Sequence, residues 1–149
     1  MKDNNNQNTI VVDAKSMLVG RLSSNVAKLL INKKKVIVVN ADEALFSGSK
    51  KSIINKFTKK LEIGSITHPR HNPKHYKTSH GILKRVIRGM IPINKPSGLI
   101  AIKNLKVYDG KPDNIDVSNK TIFKNVEITK PLPFYTSLHD ISYILNGGN

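Results

Sequence analysis

The chain has 149 residues, no cysteine, 38% hydrophobic residues and a formal net charge of +15. Those values suit one domain with its own core and exclude a wholly disordered chain, a disulfide framework and thiolate metal sites. No apolar run approaches about 18 residues and Met1–Asn8 is polar, so neither a transmembrane helix nor a signal peptide is predicted, and the cytoplasm is the default location.

Residues 1–8 read as a disordered tail. Thr9–Asp13 (T-I-V-V-D) is a short β-branched run and predicts a buried strand. Leu18, Leu22, Val26, Leu29 and Leu30 then fall on one helical face, with Arg21, Asn25 and Lys28 off it. Asn32 and Lys33–Lys35 end that helix, where its dipole favours cations. Val36–Val39 (V-I-V-V) has the unbroken β-branched pattern of a strand covered on both faces. Strand, helix, strand in about thirty residues is one βαβ unit with parallel strands and a right-handed crossover.

Ala44–Ser47 predicts a third short strand. From Ser49 to Ile63 an amphipathic basic helix carries Ile53, Ile54, Phe57 and Leu61 on its apolar face, with Lys50, Lys51, Lys56, Lys59 and Lys60 outside it. Gly64 ends it, and an exposed arm follows over residues 65–80. Gly81–Met90 is helical again: Ile82, Val86 and Met90 form one row, Leu83 and Ile87 the next, and Lys84, Arg85 and Arg88 lie away from both. Pro92 stops it. Ser97–Leu105 predicts a short helix, and Val107–Tyr108 a strand before the Asp109–Gly110 turn. Residues 9–112 are therefore read as a single α/β domain that includes the arm. Residues 113–149 are read as a peripheral extension, with a partly alternating edge strand in Ile115–Ile128 and a helix over Ser137–Leu145 begun by Thr136 or Ser137.

Charge is segregated along the chain. Residues 50–111 hold 15 Lys and Arg against Glu62 and Asp109, a net of 15 − 2 = +13. Crowded like charge opposes a compact state until a counter-charge arrives, and nucleic acid is the usual source. The arm's His68, His71 and His75, with His80, invite a metal hypothesis. Pro69 and Pro73 break the helix that would bring them together, and no Asp or Glu lies between Gly64 and Tyr108, so no metal is expected. Gly48–Ser52 resembles the end of a phosphate-binding loop but lacks its first glycine and the Gly-Lys junction, and no nucleotide cofactor is expected. Asp13 and Asp42 alone offer acid or base chemistry, and Asp13 reads as a turn residue. Enzyme is the weaker class; a metal- or His-dependent RNA nuclease and a free RNA-binding regulator are the alternatives.

The candidate RNA contacts are Arg21, then Lys50, Lys51, Lys59 and Lys60 of the basic helix. The arm adds His68, Arg70, His71, Lys74, His75, Tyr76 and Lys77, and Lys84, Arg85, Arg88 and Lys95 follow. Lysine outnumbers arginine 21 to 4. Guanidinium binds phosphate bidentately and stacks on bases, which singles out the arginines for geometry-dependent contacts. Tyr76 has the flat face that stacks on a base, or that packs under the loop.

Ile87–Pro92 (I-R-G-M-I-P), Gly98 and Leu105–Gly110 (L-K-V-Y-D-G) resemble the L-thirteen family of large-subunit ribosomal proteins. Val11–Ser24, Val36–Ala41 and Ser47–Gly48 extend the likeness over roughly Ile10–Gly110. Pro69–Tyr76 and Phe134–Ser142 are similar to its archaeal and eukaryotic branch. Leu99 departs from a usual polar or basic residue, and Lys84 from a common aromatic. The resemblance implies a three-layer α/β/α fold around a mainly parallel sheet of about four strands. It also implies a structural, non-catalytic role in the cytoplasmic ribosome on large-subunit rRNA, beside neighbouring large-subunit ribosomal proteins, with no membrane or small-molecule partner.

Overall fold

A computed structural model describes residues 9–112, 120–121, 123, 126, 128 and 131–148. The tail at 1–8 and most of the expected 115–128 strand lie outside the described residues. In chain order the elements are β1 (Thr9–Asp13), α1 (Val19–Ile31), β2 (Lys35–Val39), β3 (Leu45–Ser47), α2 (Lys50–Glu62), α3 (Ser79–Gly89), α4 (Pro96–Lys103), β4 (Leu105–Val107), β5 (Lys120–Thr121), β6 (Tyr135–Ser137) and α5 (Leu138–Leu145). The fold is α/β. Its main sheet runs β4-β2-β1-β5 with every neighbour parallel, as the βαβ reading requires.

The core follows from alternation along the strands. Val12, Val36, Val38 and Leu105 are buried and join Leu22, Val26 and Leu30 of α1 and Leu83 and Ile87 of α3. Lys35 is exposed and Ile37 half-buried. Within the Val36–Val39 run, Val36 and Val38 on one face and Val39 on the other are fully buried, so both faces are covered, the second only in part at Ile37. Helix α1 ends in a Schellman turn: Lys33 N–H donates to the Leu30 carbonyl (3.0 Å) and Lys34 N–H to the Leu29 carbonyl (3.2 Å). Lys33 takes the left-handed conformation that this closure demands, with φ 61°.

Long-range pairing shifts several boundaries. Strand β3 exists but lies outside the main sheet, pairing antiparallel with β6. Gly48, which turns the chain from β3 into α2, has φ 134°, a conformation that favours glycine. Leu105 belongs to β4, not to the preceding helix, because it pairs with Val36. After β4 the Tyr108, Asp109 and Gly110 carbonyls accept hydrogen bonds from the Ala41, Asp42 and Asn40 amides, respectively. Gly98 of α4 lies where the Pro92 carbonyl crosses, and a Cβ there would collide with it.

Placing 113–149 at the periphery needs correction for its described part. Leu138, Ile141 and Leu145 are buried in the core, as is Val126. Helix α5 is short and carries one acidic residue, Asp140, and its apolar face packs on α2 and α3. Ser137 is its cap: the hydroxyl oxygen accepts from the Asp140 amide at 3.0 Å.

Candidate nucleic-acid interface

Three consecutive pieces build the basic face: α2, the arm and α3. Helix α2 is amphipathic, with Ile53, Phe57 and Leu61 packed against the edge of the core and its lysines outward. Lys50 and Lys51 sit in its first turn, the end where the helix dipole disfavours cations. Lys50 is offset by an ion pair with Asp140 of α5 at 3.4 Å. Lys51, Lys56 and Lys59 share one shallow depression along the helix.

The arm is exposed from Gly64 to Lys77, apart from half-buried Asn72. It is nevertheless folded onto the domain at its own polar groups. The Asn72 amide closes a loop, accepting from the Ser65 amide (2.6 Å) and donating to the Ser65 carbonyl (3.1 Å). Pro69–His71 forms a single tight turn. The His75 ring bonds to the Ile63 carbonyl at 3.0 Å. Arg85 of α3 donates to the Lys74 carbonyl at 2.7 Å, and its guanidinium lies 5.8 Å from the centre of the Tyr76 ring. Of the two readings of Tyr76, packing against its own chain is the one these contacts supply, although the residue stays 46% exposed.

Helix α3 begins at Ser79, two residues before its sequence periodicity, because Asp109 supplies a cap from beyond β4. One Asp109 carboxylate oxygen accepts from the His80 amide at 2.6 Å and the other pairs with the His80 ring at 2.5 Å. The helix stops at Gly89, before Pro92 is reached. Asp13, read as a turn residue, accepts from the Lys15 amide (3.1 Å) and from Asn40 Nδ2 (2.8 Å), joining the ends of β1 and β2. The arm and α3 thus enter beside the carboxyl ends of the parallel strands.

The sixteen candidate contacts are all exposed side chains, but the fold does not gather them all. Lys60, His75, Tyr76 and Arg85 line one groove between α2 and α3. Lys51 and Lys59 lie along the adjoining face of α2. His68, Arg70, His71, Lys74 and Lys77 follow the arm, and Lys84 and Arg88 the outer side of α3. Arg21 on α1 and Lys95, which caps α4, line neither the groove nor the depression. His75 and His80 are engaged by different partners, Ile63 and Asp109.

Sequence reading missed Lys56, which lines both the depression and the groove. Its place among the off-face lysines of α2 was the available signal. It also missed Asn72 and the His80–Asp109 clamp, which depend on chain folding that no local pattern encodes.

Comparison with known proteins follows the same stretch. The family model described as Ribosomal protein L13 matches residues 7–114. The chain is 38% identical over 138 residues to the large ribosomal subunit protein uL13 of Picrophilus torridus, covering 91% of this chain and 96% of that one. It is 36% identical over 137 residues to the protein of the same name from Thermoplasma volcanium (92% and 98% covered). With its counterpart in Methanococcus maripaludis it shares 38% identity over 109 residues (72% and 80% covered). A match over most of the chain, with relatives aligned nearly end to end, establishes that the chain belongs to the ribosomal protein L13 family.

Proposed function

We propose that the chain is a structural constituent of the large ribosomal subunit, located in the cytoplasmic ribosome, that binds and stabilises large-subunit rRNA. The observation that carries this reading is the run of exposed cations over α2, the arm and α3, with Glu62 as the one carboxylate from Lys50 to Tyr108. At the N-terminal turn of α2, Lys50 is paired with Asp140, and Lys51 adds to the positive end of the helix dipole, an arrangement that an anion relieves. Relatives named for the large ribosomal subunit support the same assignment.

Mechanistically the domain acts as a rigid counter-charge. Lysines on α2 neutralise phosphates as mobile point charges, and Arg70 and Arg88 offer planar, bidentate contacts. Neighbouring large-subunit proteins meet the remaining surface. Co-sedimentation tests the proposal: the protein should travel with large subunits through a high-salt wash. Release by that wash, with affinity for free RNA retained, would instead indicate a detachable RNA-binding regulator. RNA cleavage on incubation with a divalent metal would indicate a nuclease.

A further inference from the structure

The groove between α2 and α3 encloses about 470 Å³, within the range of sites that take small organic groups. Much of its lining is apolar, including Ile53, Phe57 and Leu61 of α2 and Ile82 and Val86 of α3. Phe46 meets Phe57 edge-on, ring centres 5.7 Å apart and planes at 63°. The rim carries Lys56 and Lys60 on one helix and Arg85 on the other, with His75 of the arm beside them and no carboxylate among the lining residues. Helix α2 buries none of its residues fully. An amphipathic helix ordinarily seals its apolar stripe against the domain; this one leaves part of the stripe facing an open groove.

We propose that this groove receives one unpaired nucleotide of the bound RNA, with its base against Phe57 and its flanking phosphates on Lys56, Lys60 and Arg85. The inference rests on the RNA-binding reading above and adds a subsite that holds a base instead of backbone. Aromatic side chains are the usual platforms for unstacked bases, and cations beside them meet the phosphates. Here the two are paired within one nucleotide's reach: the Lys60 ammonium lies 5.5 Å from the Phe57 ring centre. A polynucleotide carries a phosphate on each side of every base, which matches cations on both walls of an apolar slot. An acidic peptide carries its charges at irregular intervals and matches that arrangement less well.

The test titrates the full-length protein with a transcript of the cognate large-subunit rRNA, then irradiates the complex to crosslink nucleotides to adjacent side chains. A crosslink at Phe57 or Tyr76 is expected. Phe57→Leu keeps the apolar volume and removes the ring, so affinity should fall about five- to a hundred-fold with the salt slope unchanged. Ser47→Trp, at the exposed rim, fills the slot and gives the same loss should the first variant fail to fold. Unchanged affinity in either folded variant, with the wild type binding normally, overturns the groove and leaves the RNA reading standing. No binding by the wild type removes both. A crosslink from the groove to a neighbouring protein in assembled subunits overturns the inference in favour of a peptide occupant.

Discussion

Arg85 donates to the backbone carbonyl of Lys74 across 2.7 Å, tying the middle of the basic arm to α3. The same guanidinium covers Tyr76. Arg88, one turn further along the helix, is exposed and has no hydrogen bond or ion pair among the described residues. Two arginines that look equivalent in sequence therefore do different work.

Arg85→Ala should free the arm while leaving the core intact. Trypsin cleavage after Arg70, Lys74 and Lys77 should accelerate several-fold, with the melting temperature nearly unchanged. Arg88→Ala should leave the cleavage rate at its wild-type value. Equal rates in both variants would show that Arg85 does not hold the arm.

RNA affinity should be steeply salt-dependent. With ~6–10 phosphates engaged, binding weakens by about 10³–10⁵ between 50 and 200 mM salt, and removing Arg88 should lower the log–log slope by roughly 0.9. A flat salt profile counts against a phosphate-led interface.

Asp109 caps α3 from a distance, and its loss leaves the His80 amide without that partner. Asp109→Ala should cost about 1–2 kcal/mol in urea unfolding. The ion-pair share is small, since the His80 and Asp109 side chains are 44% and 38% exposed. Asp109→Asn keeps an acceptor and should recover most of the loss; if it is as damaging as alanine, charge and not capping is the cause.

Lys33 holds a left-handed backbone at the end of α1. Glycine takes that conformation without the Cβ penalty, so Lys33→Gly should stabilise the protein by about 0.5–1 kcal/mol. A lower denaturation midpoint would contradict this.

Gly98→Ala should act in the opposite sense. The added methyl meets the Pro92 carbonyl, a backbone atom that cannot swing aside, and overpacking of this kind costs about 1–3 kcal/mol. Thermal unfolding reads it directly: a melting temperature equal to wild type would mean that the chain around Pro92 yields freely.

Much of the chain is legible locally because hydrophobic periodicity and charge are local properties. The 3.6-residue spacing of Leu22, Val26 and Leu30 marks α1, the β-branched runs mark β1 and β2, and the lysines of α2 mark the cationic face. Partner choice is not local, and only the tertiary structure decided it. It sent β3 to β6 instead of the main sheet, moved Leu105 from helix to strand, and turned the C-terminal helix inward on Leu138, Ile141 and Leu145. It also brought Asp109 to His80 and Arg85 to Lys74. Periodicity states which face of an element must be buried; which surface buries it is settled by competition among contacts far apart in the chain. The basic face was therefore written in the sequence, whereas the groove within it came from the way α2, the arm and α3 meet.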